Sequence, residues 1–405
     1  MDMQMRHGYS ALGFGCMRFP RTMGRIDQKE AAAEILRACE LGVNYFDTAY
    51  IYPGSEAALG TILERAGIRD RVRIATKLPQ YLIRDRAAID RYFDEQRSRL
   101  KTGRVDNYLM HMLTDIDAWR KLQSLGIEEW IDAKKRAGQI DRIGFSYHGN
   151  TAMFLQILEA YPWDFCQIQY NYVDEVSQAG RIGLQAAAAK NIPVIIMEPL
   201  RGGRLVDRLP RAARERIARE GGGRTAAELA LRWLWDQPEV TCVLSGMNSM
   251  AMVEENCRIA AEALPGCMDD AERSLIASVK KDIGERTRIG CTGCGYCMPC
   301  PKGVDIPGTF SCYNLMSEEN RFAGWRAYFQ TVAMRRDPPF AGQCVGCGRC
   351  ESRCPQHLPI ISTLKDADKA LRPFFCRIGI AAGRRLLFRR KREEANKDEN
   401  ADRAL

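Results

Sequence analysis

Short apolar runs alternate with amphipathic segments along the first 250 residues or so of this 405-residue chain. Most runs are β-branched and almost continuously apolar, as expected for parallel strands buried on both faces. Segments such as Gln28 to Glu40 and Arg86 to Lys101 have helical spacing between them. The eight runs are Ser10–Gly15, Val43–Tyr50, Val72–Leu78, Asp106–Leu113, Ile140–His148, Phe165–Tyr172, Ile192–Leu200 and Val240–Met247. This pattern predicts an α/β fold, a (β/α)8 TIM barrel, with an open doubly wound sheet as the alternative.

Polar side chains follow three consecutive predicted strands. Asp47 lies near the end of the second run and Tyr52 just after it, Lys77 lies at the end of the third, and His111 near the end of the fourth. In a parallel barrel these strand ends meet at one rim, where active sites lie. A nearby lysine lowers the pKa of a tyrosine, an aspartate keeps the lysine charged, and an imidazole orients a carbonyl group. Each residue alone is more often a packing or surface group, but together they predict a site for proton transfer to a carbonyl.

These residues and several motifs resemble the aldo-keto reductase family. The motifs in this sequence are LGFGCMR from Leu12, GFS from Gly144, QIQYN from Gln167, EPLRGG from Glu198 and SGMNSMAMVEEN from Ser245. The resemblance covers roughly residues 8–265 and implies a barrel that transfers a hydride between NAD(P)H and a carbonyl or alcohol. It implies that Tyr52 is the general acid, Lys77 its pKa-lowering partner, Asp47 the counter-ion of the lysine and His111 the group that orients the carbonyl.

The same resemblance implies a set of nucleotide-binding residues: Gly15, Cys16, Met17, Ser146, Gln167, Met197, Gly246, Ser249, Glu255 and Asn256. Ser146 and Gln167 would bind the nicotinamide carboxamide, and Glu255 and Asn256 the adenine. The chain departs from the family at three positions. Gly246 and Met252 stand where many members carry cations for the 2′-phosphate of NADPH, which leaves the choice between NADH and NADPH open. Met197 stands where an aromatic residue usually stacks on the nicotinamide, and a thioether covers a ring less rigidly.

Two cysteine-rich runs follow the predicted barrel. The second run has the C-x2-C-x2-C-x3-C-P spacing of bacterial-type ferredoxins, and the last gap of the first run is one residue shorter. The eight cysteines are Cys291, Cys294, Cys297, Cys300, Cys344, Cys347, Cys350 and Cys354. This spacing predicts two [4Fe-4S] clusters, with zinc as the alternative metal because paired C-x2-C motifs also bind zinc.

In two-cluster ferredoxins the fourth cysteine of each run serves the other cluster. We therefore expect Cys354 to complete the cluster of the first run and Cys300 to complete that of the second. Cys312 is a spare ligand candidate because it lies near the first run. The segment between the runs, MSEENRFAGWRAYFQTVAMRRD from Met316, has helical spacing and resembles helical ferredoxin domains. The whole chain resembles a known arrangement of an aldo-keto reductase barrel fused to a smaller, mainly helical ferredoxin-like iron-sulfur domain.

The net charge of +9 is concentrated at the end of the chain. From Lys369 onward, eleven Lys and Arg residues oppose five Asp and Glu residues, so +6 of the total lies there and +3 in the rest. This tail could lie on an anionic membrane surface or bind an acidic partner, but a solvated terminus is the favoured interpretation. Nucleic-acid binding has no supporting motif.

Sixteen cysteines without a secretory leader or a long apolar run predict a cytoplasmic protein that binds metal. We expect residues 1–265 to form the barrel, 266–290 a helical connector, 291–368 the iron-sulfur domain and 369–405 the basic tail. The predicted function is NAD(P)H-dependent interconversion of a small-molecule carbonyl and alcohol. Nicotinamide delivers two electrons as a hydride whereas a cluster passes one, and the chain has no flavin motif to split them. The alternatives are an iron-sulfur electron-transfer oxidoreductase with a ferredoxin or other redox partner, or a redox-sensing subunit that only binds nucleotide.

Overall fold

The computed structural model describes residues 3–383, apart from residues 150, 177, 286, 292, 294, 319, 334–337 and 355. The chain divides into two compact units, residues 1–281 and 282–405. This division falls inside the predicted connector of residues 266–290. The other predicted domain boundaries stay predictions.

The first unit contains all the strands of the described chain. They are β1 Met5–Arg6, β2 Tyr9–Ser10, β3 Leu12–Gly15, β4 Arg21–Thr22, β5 Arg25–Ile26, β6 Tyr45–Asp47, β7 Arg73–Leu78, β8 Val105–Leu113, β9 Ile140–Tyr147, β10 Phe165–Gln169, β11 Val194–Met197 and β12 Val240–Ser245. Strands β3 and β6 to β12 form a closed barrel in chain order, with β12 paired to β3, and every pairing in it is parallel. Closure excludes the doubly wound alternative and confirms the predicted barrel.

Helices separate the barrel strands. They are α1 Gln28–Glu40, α2 Ser55–Ala66, α3 Arg86–Leu100, α4 Ile116–Ser124, α5 Ile127–Arg136, α6 Thr151–Ala160, α7 Gly180–Ala189, α8 Arg204–Asp207, α9 Arg211–Glu220, α10 Ala226–Trp235, α11 Met250–Ala261 and α12 Asp270–Gly284. Several begin at a side-chain cap: Asp27, Asp85 and Asp115 accept hydrogen bonds from backbone N–H groups of α1, α3 and α4. Such caps stabilise a helix start by about 1 kcal/mol each.

Alternation along each strand separates two apolar layers. Tyr45, Ala75 and Leu109 belong to a small buried cluster inside the barrel, whereas Phe46 and Met110 belong to the large cluster between strands and helices. Because successive strand residues face opposite sides, the residues two positions after the first three face inward again. Those residues are Asp47, Lys77 and His111. The apolar alternation of the strands thus places these polar groups on the inner face, one layer above the packed interior.

The second unit is mainly helical, as predicted. Its helices are α13 Ile306–Glu318, α14 Arg321–Tyr328 with a π-helical turn Phe329–Ala333, α15 Arg349–Ser352 and α16 Ile360–Leu371. One apolar cluster contains Ile306, Phe310 and Leu364 together with cysteines of both runs. A second contains Cys312, Met316 and Tyr328.

The helix predicted from Asp269 to Gly290 ends earlier, at Gly284. Ile289 does not continue this helix, because its backbone N–H and C=O both bond to the side chain of Asn314, at 3.0 and 2.8 Å. Those two bonds hold the approach to the first cysteine run against α13. None of the helices in the described part of the chain combines the length and apolar composition needed to cross a bilayer.

Candidate active site

A buried ion pair lies at the centre of the rim. The Lys77 ammonium donates to both carboxylate oxygens of Asp47, at 2.7 and 2.8 Å, and to the backbone oxygen of Thr48 at 2.7 Å. Both side chains are almost fully buried. Burial lowers the pKa of Lys77, but Asp47 and Tyr52 oppose it and the pKa lies above its ordinary value. Three hydrogen bonds use all three ammonium protons, so Lys77 is a fixed positive charge.

Tyr52 lies beside this charge, on the loop between β6 and α2. The Lys77 Nζ atom is 5.3 Å from the centre of the Tyr52 ring. The loop is held by Thr48, whose hydroxyl bonds Ser55 at 2.8 Å, and by Gly54, which adopts a left-handed conformation at φ 76° just before α2. Glycine adopts this conformation at little cost.

The pKa of Tyr52 differs from the prediction. Lys77 is the largest single influence and lowers it, as expected, but burial and the carboxylates of Asp47 and Glu198 together outweigh Lys77 and raise the pKa. The hydroxyl of Tyr52 is therefore protonated at neutral pH. A protonated phenol beside a buried cation is suited to give up its proton when a neighbouring oxygen becomes basic.

His111 faces Tyr52 across the rim, with the ring centres 6.3 Å apart and the planes at 85°. It lies where the pairing of β8 with β9 shifts register between Met110 and Leu113, and the next residue, Met112, has a φ of 55°. Bulges next to active sites commonly re-aim a side chain. The Nδ1 atom of His111 is buried without a hydrogen-bond partner among the described residues.

His111 is a neutral imidazole over most of the pH range. Burial lowers its pKa to about 3, and the charges of Lys77 and His148 add to the effect. Burial, with a contribution from Lys77, also lowers the pKa of His148, which follows β9. The ring of Tyr81 packs 6.2 Å from His111 on the solvent side and is 43% exposed. Tyr81 and His148 were not among the predicted site residues, because neither belongs to a motif with recognisable spacing.

A buried polar network supports Lys77 from outside the barrel. Gln96 of α3 donates to the backbone oxygen of Lys77 at 3.0 Å and to Glu56 at 2.9 Å. Glu56 also accepts from Thr76 at 2.6 Å and pairs with Arg99 at 3.2 Å. The network ties β7 to α2 and α3, and so fixes the backbone from which Lys77 projects.

The predicted nicotinamide residues lie on adjacent strands. Gln167 of β10 is paired in register with Ser146 of β9. The Ser146 hydroxyl accepts from the backbone N–H of Met112 at 2.9 Å, and the amide nitrogen of Gln167 contacts the Met197 sulfur at 3.6 Å. The amide oxygen of Gln167 is buried and has no hydrogen-bond partner among the described residues. It is an acceptor that needs an N–H donor.

Two glycines and one arginine pack closely on the loops beside these positions. A Cβ on Gly15 would lie 3.3 Å from the Ser245 oxygen, and one on Gly246 would lie 2.9 Å from the Arg18 side chain. Arg18 also donates to the backbone oxygen of Gly202 at 3.3 Å. Arg18 therefore reaches between the loops after β11 and β12. It was not predicted as a site residue, because its two neighbours come from distant parts of the sequence.

The predicted adenine-binding residues each bond to a different part of the barrel unit. Asn256 is buried and donates to the Ser245 hydroxyl at 3.0 Å, and Ser249 caps α11 through the N–H of Met252. Glu255 accepts from the Thr225 hydroxyl at 3.0 Å.

Of the predicted residues after β3, Cys16 is buried and Met17 is 56% exposed. The loop after β11 also carries left-handed residues, among them Glu198 at φ 54°. Such strain is concentrated at functional sites.

In the second unit, cysteines of both runs line one cavity. These cysteines are Cys297, Cys300, Cys344, Cys347 and Cys350. Cys291 and Cys354 lie in the same apolar cluster as several of them, whereas Cys312 packs in the other cluster and does not line the cavity. Cys294 lies outside the described residues. Among the described residues, no three Cys, His, Asp or Glu side chains are arranged to hold a single metal ion.

Glycines shape both cysteine runs in the same way. Gly346 and Gly348 flank Cys347 at φ 68° and 76°, and Gly293 and Gly295 occupy the matching positions of the first run at 71° and 78°. A side chain is strained in this conformation. The repeated C-x-G-C-G pattern thus lets the backbone turn around the cavity.

Comparison with known proteins agrees with this architecture. Residues 11–268 match the model of the aldo/keto reductase family, which is more than half of the chain. The chain belongs to the aldo/keto reductase family. Residues 290–358 match a 4Fe-4S dicluster domain. This aldo/keto reductase therefore carries an iron-sulfur domain after its barrel, as predicted.

Several known proteins resemble the barrel. L-galactose dehydrogenase of Arabidopsis thaliana is 26% identical over 302 residues, which cover 69% of this chain and 92% of the relative. The aldo-keto reductase YhdN of Bacillus subtilis is 25% identical over 286 residues, covering 60% and 83%. The holo form of an aldo-keto reductase from Bacillus halodurans has a TM-score of 0.56 at 24% identity and covers 69% of this chain and 96% of its own. That last likeness concerns the fold.

Proposed function

We propose that the barrel interconverts a small-molecule carbonyl and its alcohol by hydride transfer from NAD(P)H, with Tyr52 as the general acid and base. One observation carries the proposal: a fully hydrogen-bonded buried lysine lies under a protonated tyrosine, with a neutral histidine opposite. That arrangement brings together a proton donor (the Tyr52 hydroxyl), a fixed cation (Lys77) and an N–H donor (the His111 imidazole).

The chain's own residues account for the proton. In the reduction direction, the imidazole N–H of His111 orients the carbonyl oxygen, and the Tyr52 hydroxyl gives that oxygen its proton. The resulting tyrosinate is stabilised by Lys77, whose charge is held in place by Asp47. In the oxidation direction the tyrosinate takes the proton back.

The nucleotide side of the rim fits a nicotinamide. The buried, unpartnered oxygen of Gln167 matches the N–H donors of a carboxamide, and Ser146 lies beside it. Gly15 and Gly246 would contact the nucleotide through their backbone, and Met197 would cover the ring. Bound NADH or NADPH would supply the hydride. Ser249, Glu255 and Asn256 would then hold the adenosine end.

We assign Arg18 to the phosphates of the nucleotide. Its side chain lies between Gly202, whose backbone oxygen accepts from it at 3.3 Å, and Gly246. A guanidinium binds phosphate oxygens in a bidentate way. This assignment supports binding of either nucleotide through the shared pyrophosphate and leaves the 2′-phosphate preference open.

For the second unit we propose two [4Fe-4S] clusters. The cavity lined by Cys300, Cys344, Cys347 and Cys350 contains the four ligands proposed for one cluster. Thiolates on a single zinc ion lie about 2.3 Å from the metal and so crowd together. In the part of the chain that the structure describes, no three such side chains are arranged to hold one ion, and the match of residues 290–358 to a 4Fe-4S dicluster domain supports clusters over zinc. The other cluster would use Cys291, Cys297 and Cys354 with Cys294.

The proposal is tested by Tyr52→Phe, with Tyr50→Phe as the matched control. Tyr50 lies on the same loop, but its hydroxyl donates to Glu95 at 3.1 Å. We expect Tyr52→Phe to reduce turnover of a carbonyl panel by at least about 100-fold, since one general acid is removed. The control should stay near wild type and both variants should keep their iron. Equal turnover in all three proteins would contradict the assignment.

A second function, electron transfer through the clusters, is favoured by the exposure of Cys347 at the cavity mouth. It predicts that substrate changes the redox state of dithionite-reduced clusters. Clusters whose redox state ignores both substrate and nucleotide would contradict electron transfer between the clusters and the barrel.

A further inference from the structure

Three cations surround the cysteine cavity. Lys302, Arg349 and Arg353 line it, and all three side chains are exposed. Of the described residues that line the cavity, none is acidic. The cavity therefore lies within a positively charged rim, which we call the basic rim and define by these three residues.

The basic rim is not neutralised by the chain around it. Among the described residues, no carboxylate forms an ion pair with Lys302, Arg349 or Arg353. Arg372 of the same unit, by contrast, pairs with Asp368 at 2.7 Å. An oxidised [4Fe-4S] cluster with four thiolate ligands carries a net charge of about −2, so the three cations exceed it by about one positive charge, whose field extends into solvent by about a Debye length, about 8 Å at physiological ionic strength.

The mouth of the cavity is also accessible. Cys347 is exposed, and the neighbouring Val345 is 61% exposed. A cluster held by Cys347 would thus have one edge close to the surface, next to an apolar contact and inside the basic rim. A cluster that only stabilised the fold would not need an exposed ligand.

We propose that the basic rim docks an acidic protein that exchanges single electrons with this cluster. The inference rests on the proposed assignment of a [4Fe-4S] cluster to Cys300, Cys344, Cys347 and Cys350. In the exchange, the carrier loses one electron and the cluster gains it, or the reverse. No bond or proton need move. Complementary charge mainly raises the association rate, by about 10-fold to 1,000-fold for steered pairs.

The test uses the anaerobically purified full-length protein with its clusters. An acidic plant-type [2Fe-2S] ferredoxin is the probe, and cytochrome c, a basic one-electron carrier, is the charge-reversed probe. Binding of each oxidised carrier is measured by calorimetry, and electron exchange is measured by stopped-flow absorbance at low and high salt. We expect the ferredoxin to bind at low salt, to lose affinity at high salt, and to outcompete cytochrome c.

The variant K302Q/R349Q/R353Q should weaken ferredoxin binding by at least about 10-fold at low salt and remove most of the salt dependence. The matched control is R321Q/R326Q/K369Q, which removes three exposed cations of the same unit that do not line the cavity. It should bind like wild type. The single variant Lys302→Glu retains both arginines and should fall between the two.

Iron and sulfide are measured on every sample, so that loss of the clusters is distinguished from loss of docking. Equal weakening by the control variant, salt-independent binding, or tighter binding of cytochrome c would overturn the proposal. A salt-sensitive dimer that disappears in the triple variant would overturn it in favour of a second copy of the chain. Because the readout is binding, the outcome is independent of whether Tyr52 catalyses hydride transfer.

Discussion

Acidification should leave His111 uncharged well below the pH at which an ordinary histidine is protonated. Burial and the charge of Lys77 lower the pKa of His111 to about 3. At pH 5 about 1% of such a group would be protonated, against about 97% of a histidine with the reference pKa of about 6.5. The unprotonated ring is the form that can donate an N–H to a carbonyl oxygen without placing a second cation beside Lys77.

The lowered pKa of His111 makes the free energy of unfolding depend on pH. Below pH 6.5 the unfolded chain binds a proton at His111 that the folded chain does not bind, so acid favours unfolding. The difference of about 3.5 pKa units corresponds to about 5 kcal/mol once the pH reaches 3, and to about 2 kcal/mol at pH 5. This loss begins as the pH falls through 6.5 and is complete near pH 3.

The assay is an imidazole chemical-shift titration of histidine-labelled protein between pH 8 and 5. The chain has only four histidines, so each resonance can be assigned by substitution. We expect the His111 signal to keep its neutral position throughout. Denaturant unfolding at pH 8 and 5 should show about 2 kcal/mol more acid destabilisation in wild type than in His111→Gln, where this group no longer titrates. A His111 midpoint near 6.5, or equal acid sensitivity of the two proteins, would refute the reasoning.

Other parts of the molecule give further expectations. Lys77→Met leaves the Asp47 carboxylate buried and unpaired, so unfolding of the barrel should require about 3–5 kcal/mol less free energy; a loss within error, by urea titration, would contradict the buried ion pair. Arg18→Gln should raise the KM of both nucleotides about 10-fold with little change in kcat; an unchanged KM in steady-state kinetics would remove Arg18 from the nucleotide site. Cys347→Ser should lower the iron content from about eight to about four atoms per chain, whereas Cys312→Ser, in the separate apolar cluster, should retain it; the reverse pattern in iron analysis would change the ligand assignment.

The barrel was predictable because its strands are buried on both faces, so that each strand appears in the sequence as a continuous apolar run. The ends of the strands were less predictable: the run from Val43 to Tyr50 forms a strand only over Tyr45–Asp47. The backbone N–H of Thr48 still bonds the Ala75 oxygen at 2.8 Å, as a strand residue would. Its hydroxyl, however, already bonds Ser55 and so holds the loop that contains Tyr52. Local sequence cannot show where a strand gives way to such a turn.

The set of Asp47, Tyr52, Lys77 and His111 was visible as a sequence pattern, but its electrostatics were not. The sequence indicates that Lys77 lowers the pKa of Tyr52, and Lys77 is indeed the largest influence. The net rise depends on burial and on Glu198, which comes from a loop almost 150 residues away. Arg18 and the basic rim were missed for the same reason, because convergence of distant residues is a property of the fold.

Hydride transfer in the barrel, independent of the clusters, is tested most directly by single turnover with nicotinamide deuterated at the reactive carbon. The holoprotein is mixed anaerobically with NADH or NADPH so labelled and a carbonyl panel, while the clusters are followed by electron paramagnetic resonance. We predict one deuterium on the carbinol carbon of the product and cluster signals that do not change. An unlabelled product, or clusters that become reduced as nucleotide is consumed, would contradict the account.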